Sequence, residues 1–191
     1  MIAKQYAQAL ASYQAAQQLP VTLQEASGNT SSRKGEISYW IGNAYEAMGD
    51  AAKARSSWSD ASNPSAEPAA GGRDQRPGRG SVGGLAAGGH IDQAALYYQA
   101  LALQKLGQAD RAKALFAQLV DAGNKALAKD AAILAVATPS QRAKVADAHY
   151  LAGLGQLGLN NRKQAQHEFS LALEASPDHY AAMRALTEMK P

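Results

Sequence analysis

The sequence of 191 residues contains no cysteine, which excludes a disulfide framework, thiolate chemistry and any zinc site built on cysteine. Aromatic residues make up only 6% of the chain. No stretch approaches the roughly 20 consecutive apolar residues that a helix needs to cross a bilayer. The opening segment also lacks the charged start and continuous apolar core of a secretory signal. We therefore expect no contact with a membrane, and a cytoplasmic location is favoured.

What the chain does contain is a spacing that occurs three times. A small residue is followed by alanine, an aromatic residue and another apolar residue at successive offsets of 12, 4 and 3. The three copies are Gly42/Ala54/Trp58/Ala61, Ala100/Ala112/Phe116/Leu119 and Gly153/Ala165/Phe169/Ala172. Such internal repetition is typical of proteins built from one supersecondary unit used several times.

Two further positions recur in each copy and indicate what the unit is. Tyrosine stands three residues before the small residue, and Gly49, Gly107 or Asn160 stands seven residues after it. Glycine and asparagine tolerate the positive φ that ends a helix. Each copy therefore predicts a helix, a tight turn and a second helix. The small residue of the first helix lets the aromatic residue of the second approach closely.

Periodicity and capping signals predict eight helices outside the interrupting segments. Ser140 is the expected N-cap of the helix predicted at 140–157, and Asp178 is that of the final helix. We expect the final helix to be a polar cap with Arg184 and Lys190 facing outward. The predicted helices span 2–19, 36–48, 51–61, 91–106, 109–122, 140–157, 162–175 and 178–189.

The first of these helices resembles the second half of a repeat. Ala9, Tyr13 and Ala16 reproduce the offsets of 4 and 3, but no first helix precedes them in the sequence. This pattern suggests a piece of a longer protein. It also leaves open self-association, in which another copy of the chain supplies the missing helix.

Three segments lack helical periodicity and are predicted to interrupt the repeats. Residues 21–35 carry several turn signals, and 124–138 form a second insertion with a short helix at 131–137. The stretch 69–89 holds 8 of the 17 glycines and predicts a flexible Gly/Arg-rich loop. The expected organisation is a leading half repeat and first helix pair at 1–68, this loop, and the remaining helices at 90–191.

The residues of two copies resemble a known family. YWIGNAYEAMGDAAKARSSWSDA (39–61) and AHYLAGLGQLGLNNRKQAQHEFSLALEASP (148–177) are similar to tetratricopeptide repeats. Copy two departs with Ala100 in the place of glycine, and copy three with Gln156 and Asn160 in the places of tyrosine and glycine. The resemblance implies an all-α, right-handed helical-repeat solenoid of antiparallel helix pairs, whose first helices line a concave surface that grips peptides.

A narrower resemblance rests on three short segments. YWIG (39–42), YYQALALQKLG (97–107) and LAGLGQLGL (151–159) together resemble the C-terminal repeat region of large bacterial proteins. In those proteins the repeats follow a domain of unknown function. This resemblance implies an accessory role beside a domain that is not in this sequence.

Motifs that suggest nucleotide or nucleic-acid binding are weak. Gly78 to Gly83 spell G-x-G-x-x-G, but neither a strand before them nor a helix after them is predicted, so no nucleotide cofactor is expected. Arg73, Arg76 and Arg79 give the loop most of the net charge of +3. They lack interleaved aromatic residues for base stacking, so we expect a solvated spacer and no nucleic-acid partner.

Metal binding and catalysis find no support in the sequence either. The four histidines show no spacing of four residues and no neighbouring cluster of ligands: His90, His149, His167 and His179. His149 falls on the packed side of its helix and is expected to lie between helices, whereas His179 is expected to be exposed. No nucleophile motif or distinctive carboxylate pair occurs. We therefore predict neither catalytic residues nor a metal or cofactor.

The remaining candidate site is the groove that the resemblance implies. Tyr39, Tyr97 and Tyr150 occupy the same place in the three first helices, and tyrosine supplies apolar area and a hydroxyl at low entropic cost. These tyrosines either form a ladder that faces a ligand or pack between neighbouring helices, and the sequence leaves both readings open. The flanking residues of the predicted groove are Asn43, Glu46, Leu101, Gln104 and Leu154.

These observations predict a non-enzymatic scaffold that holds a partner peptide or helix in its groove. The alternative, from the narrower resemblance, is an accessory C-terminal repeat region of a larger multidomain enzyme, one acting on carbohydrate for example. Self-association through the leading half repeat is the third hypothesis.

Overall fold

A computed structural model of the chain describes residues 2–17, 30–63, 90–130 and 138–189. These ranges are helical, apart from short turns, and contain no strand. The all-α helical-repeat fold is therefore confirmed. The helices are α1 (Ile2–Gln17), α2 (Thr30–Ala47), α3 (Ala51–Ser62), α4 (His90–Lys105), α5 (Ala109–Asp130), α6 (Pro139–Gly158), α7 (Arg162–Ala175) and α8 (Tyr180–Glu188).

The chain divides into two compact units, Met1–Ala102 and Leu103–Pro191. In the first unit α1 packs on α2, and α2 packs on α3. In the second, α5 packs on α6, α6 on α7, and α7 on α8. The Gly/Arg-rich segment 69–89 and the short helix predicted at 131–137 lie outside the described residues. The division into 1–68, 69–89 and 90–191 stays a prediction.

The three predicted turns have the expected backbone. Gly49, Gly107 and Asn160 have φ values of 83°, 78° and 66°. The backbone N–H of the next residue bonds in each case to a carbonyl five residues earlier: Asp50 to Tyr45, Gln108 to Leu103 and Asn161 to Gln156, each at 2.9 Å. This hydrogen bond uses a carbonyl that the end of the helix would otherwise leave without a partner. Glycine or asparagine is selected because other residues resist positive φ.

Asn160 provides a test of this turn, because it is exposed and its main structural role is its backbone angle. We expect Asn160→Ala to lower the free energy of unfolding by about 1 kcal/mol, since alanine pays the left-handed strain in full. The free energy of unfolding of Asn160→Gly should equal or exceed that of the wild type. Urea unfolding followed by circular dichroism measures both variants, and equal stability of the alanine and glycine variants would contradict the assignment.

The predicted contact between the small residue and the aromatic residue is confirmed in copies one and three. A Cβ atom added to Gly42 would collide with the indole of Trp58, and one added to Gly153 would lie 2.5 Å from the Phe169 ring. The aromatic residues are almost fully buried, at 5% and 0% exposure. The first and second helices of these copies therefore approach more closely than any larger side chain would permit.

Glycines of the second unit also bring α5 and α6 together, which the repeat spacing did not predict. A Cβ atom on Gly155 would lie 2.6 Å from the Phe116 carbonyl oxygen, and one on Gly123 would lie 2.6 Å from the Ala148 carbonyl oxygen. Gly158 packs directly against the Phe116 ring. The backbones of α5 and α6 are thus in contact at several points.

Two predicted loops are partly helical. The loop expected at 21–35 is wrong for its last six residues, because α2 begins at Thr30. The insertion expected at 124–138 is wrong up to Asp130, where α5 ends. Gly35 and Gly123 are buried inside these helices. A Cβ atom added to Gly123 would lie 2.6 Å from the Ala148 carbonyl oxygen, whereas one added to Gly35 would meet only the Ala61 carbonyl oxygen, at 3.7 Å. Tertiary packing therefore outweighs their low helix propensity.

Two predicted N-caps are also wrong. Thr138, not Ser140, caps α6, and its hydroxyl accepts from the Gln141 N–H while the Gln141 side chain accepts from the Thr138 N–H. His179, not Asp178, caps α8, because its Nδ1 accepts from the Ala182 N–H at 3.1 Å. In each case the capping residue stands one or two positions before the predicted one or after it, within the usual uncertainty of a helix end.

The outer face of α8 differs from the polar cap that the sequence predicts. Arg184 is exposed as expected, but Tyr180 and Met183 are 74% and 46% exposed. The side chains of Tyr180 and Met183 thus face solvent, whereas Ala182 of the same short helix is fully buried. α1 is similar in this respect, since its Tyr6 is 37% exposed. Both helices therefore present apolar side chains to solvent.

Candidate functional site

Four aromatic rings lie together in the first unit, on α2 and α4. The Tyr98 ring centroid lies 5.8 Å from that of Tyr39 and 6.3 Å from that of Trp40. Tyr39 and Trp40 are 5.4 Å apart, and Tyr97 and Tyr98 are 5.7 Å apart. Most of these pairs meet edge to face, the arrangement that aromatic quadrupoles favour. We call these four residues the aromatic cluster.

The members of the aromatic cluster differ in exposure. Tyr39 is only 9% exposed and belongs to the core. Trp40, Tyr97 and Tyr98 are half-buried, so one part of each ring packs on the protein and another part reaches the surface. The structure therefore brings the predicted Tyr39 and Tyr97 into one cluster, and its accessible surface comes from Tyr97 and from two residues that the prediction did not name.

Polar side chains near the aromatic cluster are held by the fold. The Asn43 side-chain oxygen accepts from the Trp58 indole N–H at 3.3 Å, which links α2 to α3. Gln99 donates from Nε2 to the Ser62 carbonyl at 2.7 Å, which links α4 to the end of α3. Of the other predicted groove residues on these helices, Leu101 is half-buried and Glu46 is exposed. Asn43 therefore has a structural role whether or not it also meets a partner.

The predicted groove residues of the second unit have different surroundings. The half-buried Tyr150 lies between two rings, with centroid distances of 5.8 Å to Phe169 and 5.1 Å to His179. Leu154 is 5% exposed, and Gln104 is exposed. Tyr150 of α6 thus packs against α7 and the start of α8. Leu154 has little accessible surface for a partner.

Two histidine–carboxylate pairs connect the helices of the second unit. His149 Nδ1 lies 2.9 Å from Glu168 Oε2, with both side chains largely buried, so the interhelix role predicted for His149 is confirmed. His179 Nε2 lies 3.1 Å from Asp147 Oδ1. Because His179 Nδ1 accepts from a backbone N–H, its Nε2 carries the proton and donates to Asp147. His179 is 12% exposed, and the exposed position that the sequence predicts for it is wrong.

Metal-binding groups of three or more histidine, aspartate or glutamate side chains do not occur within the part of the chain that the structure describes. Three groups at helix ends have shifted pKa values. Hydrogen bonds with Lys53 lower the pKa of Asp50, and the same side-chain bond raises the pKa of Lys53. The Ser176 hydroxyl, which donates to Asp178, lowers the pKa of that carboxyl. All three groups lie at the starts of helices and outside the aromatic cluster.

Trp40 and Tyr98 are the site residues that sequence reasoning missed. Each directly follows one of the predicted tyrosines, so copies one and two both carry an aromatic pair, Tyr39-Trp40 and Tyr97-Tyr98. Neighbouring residues on a helix point about 100° apart, so one member of each pair can pack inward while the other reaches the surface. The repeated pair was the signal that could have identified them.

Comparison with known proteins supports the repeat assignment. Residues 94–122, which include parts of α4 and α5, match the family model of the tetratricopeptide repeat. A search of curated proteins and a search of solved structures each found no match. Among the helices that the structure describes, none has the length and apolar character required to cross a membrane. Residues 94–122 are thus similar to a tetratricopeptide repeat, and the described chain has an all-α helical-repeat fold.

Proposed function

We propose that this protein is a non-enzymatic scaffold that binds a partner peptide or helix through the first helices of its repeats. Tetratricopeptide repeats commonly mediate protein–protein interaction, and one such repeat is present here. The observation that carries the proposal is the aromatic cluster, in which Trp40, Tyr97 and Tyr98 combine partial exposure with contacts to one another.

The physical properties of the aromatic cluster suit binding. Tryptophan and tyrosine dominate the binding energy of many interfaces because they present large, rigid, amphipathic surfaces. Ring-to-ring contacts already restrict these side chains before a partner arrives, so little rotamer entropy is lost on binding. The Asn43–Trp58 and Gln99–Ser62 hydrogen bonds hold the helices that carry the rings. An apolar anchor side chain of the partner would cover the half-exposed ring surfaces.

The other predicted groove residues take different parts in this proposal. Tyr39 and Leu154 are too buried to meet a partner, and each belongs to the core of its own unit. Glu46, in the unit of the aromatic cluster, is exposed and would add a polar contact at the edge of a bound peptide, and Gln104 of the second unit is exposed as well. Tyr150 and Leu101 are half-buried and would contribute part of their side chains.

The test uses a peptide selected from a displayed library against the purified chain, with its affinity measured by calorimetry. We expect Trp40→Ala and Tyr98→Ala each to raise the Kd at least about tenfold, which corresponds to roughly 1.4 kcal/mol. Tyr180→Ala is the matched control, because it removes a still more exposed aromatic residue from α8. Tyr39→Ala is unsuitable, since it would open a cavity in the core.

An equal loss of affinity in the control, or unchanged affinity in both cluster variants, would refute a site at the aromatic cluster. Circular dichroism of each variant separates loss of the surface from loss of the fold. Because Trp40 is half-buried and Trp58 is 5% exposed, a change of tryptophan emission on titration reports mainly on Trp40.

Four finer predictions accompany this proposal. An accessory role beside a carbohydrate-active domain rests on the narrower sequence resemblance alone. A cytoplasmic location and the lack of a nucleic-acid partner likewise stay predictions. Self-association through α1 is supported by the partial exposure of Ala9, Tyr13 and Ala16 on that helix.

A further inference from the structure

The exposed face of α8 corresponds to a face that is covered elsewhere in the same unit. Tyr180, Met183, Arg184 and Thr187 are all exposed. They stand 34 residues after Ala146, His149, Tyr150 and Gly153 of α6, and roughly 34 residues is the length of a tetratricopeptide repeat. α8 therefore has the place of a first helix.

On α6 this face is covered by α7. Gly153 packs against Phe169, the Tyr150 ring centroid lies 5.8 Å from that of Phe169, and His149 pairs with Glu168. On α8 the corresponding side chains face solvent, and Tyr180 and Met183 are 74% and 46% exposed. No helix in the described part of the chain takes the place of a second helix on this face.

α1 has the pattern of a second helix. The face with which a second helix packs on the first helix of its repeat is only partly covered in α1. Its triad Ala9/Tyr13/Ala16 has the spacing of Ala54/Trp58/Ala61 on α3 and of Ala165/Phe169/Ala172 on α7. The triads of α3 and α7 are at most 5% exposed, because a first helix covers them. The three residues of α1 are only half-buried, although α1 also packs on α2. The α1 triad is therefore less buried than the triads of α3 and α7.

We propose that α8 of one copy of this chain pairs with α1 of a second copy, as first and second helices of a repeat that two molecules share. The occupant of each open face is thus a second copy of the chain. This inference deepens the self-association named under the proposed function and does not use the aromatic cluster. Because the two faces differ, the contact is head to tail, and such contacts produce either rings or open chains of molecules.

The side chain of Thr187 limits how closely α8 and α1 can pack in this pairing. Copies one and three carry glycine at the equivalent place, and even a Cβ atom there would lie 2.5 Å from Phe169 in copy three. Thr187 therefore prevents α1 from approaching α8 as closely as α7 approaches α6. The shared repeat is wider and less well packed, which makes a weak, concentration-dependent association the expected behaviour.

Sedimentation equilibrium of the full chain over a wide range of concentrations tests the proposal. The weight-average mass of the wild type should rise with concentration. Met183→Glu places a charge on the exposed face of α8 and should raise the dissociation constant at least about tenfold. Thr187→Ala should lower it, since Ala100 shows that alanine is accepted at this place in copy two. Circular dichroism checks that both variants keep the wild-type helix content.

Mixing two blocked variants distinguishes the head-to-tail contact from a symmetric one. Tyr13→Glu blocks only α1, and Met183→Glu blocks only α8. Each alone should remain monomeric, whereas the mixture should form dimers and nothing larger, through the one α1 and the one α8 that are intact. Ala16→Glu replaces Tyr13→Glu if the latter loses helix content.

A wild type that stays monomeric throughout, a Met183→Glu variant that associates like the wild type, or a mixture without dimers would each overturn the proposal. Failure of the proposed function has a different signature. Trp40→Ala changes peptide affinity and should leave the sedimentation of the chain unchanged, whereas Met183→Glu should do the opposite.

Discussion

Phe169→Ala is expected to lower the free energy of unfolding by about 3–5 kcal/mol, the range for deleting a fully buried phenylalanine side chain. The ring has no exposure and fills the space beside Gly153, which has no side chain to extend into the cavity. Tyr150 also loses its ring partner, since the two centroids are 5.8 Å apart. The cavity therefore has few ways to collapse.

Urea unfolding followed by circular dichroism measures this loss, with Tyr180→Ala as the matched control. That substitution also deletes an aromatic ring, but from a side chain that is 74% exposed. Its effect should stay within about 0.5 kcal/mol of the wild type. A loss below about 1 kcal/mol for Phe169→Ala would mean that the ring is not the centre of the second unit's core.

Gly155→Ala is expected to destabilise the protein even though alanine is the better helix former. Alanine contributes about 1 kcal/mol of helix propensity relative to glycine. The new Cβ atom would lie 2.6 Å from the Phe116 carbonyl oxygen and 2.9 Å from the Val120 backbone nitrogen. These are backbone atoms, so α5 and α6 must separate, and overpacking of this kind typically costs about 1–3 kcal/mol. We expect the cost to exceed the gain.

The control for this prediction is the same substitution at Gly35, which is also buried within a helix. There the new Cβ atom would meet only the Ala61 carbonyl oxygen, at an ordinary contact distance of 3.7 Å. Gly35→Ala should therefore raise the free energy of unfolding by up to about 1 kcal/mol. Opposite signs for one substitution at two helical glycines would show that close helix contact, and not propensity, selects Gly155. Stabilisation by both would contradict it.

The mistakes at helix ends have a common physical origin. Gly35 and Gly123 carry the same local signal as Gly49 and Gly107, but only the last two adopt positive φ and end a helix. A glycine at a close helix contact and a glycine at a helix end look alike in a sequence. The distinction depends on a neighbouring helix that approaches from elsewhere in the chain.

The aromatic cluster shows the same division between local and tertiary information. The repeated spacing identified Tyr39 and Tyr97 as equivalent positions, but equivalence does not decide exposure. Tyr39 is 9% exposed, whereas Trp40, one residue later, is half-buried and contributes surface. The packing of Tyr98 against both rings brings α2 and α4 residues into one patch.

Spacing along the chain was enough to predict the repeated unit, its turns and the contact between small and aromatic residues that copies one and three show. These features depend on one chain segment, in which the offsets of 12, 4 and 3 recur. Which side chains remain accessible depends on packing between segments that are distant in sequence. The triads of α1 and α7 have the same spacing, yet one is half-buried and the other fully buried. The reason is physical: burial depends on whether a second helix covers a face, and that helix comes from outside the segment that carries the pattern.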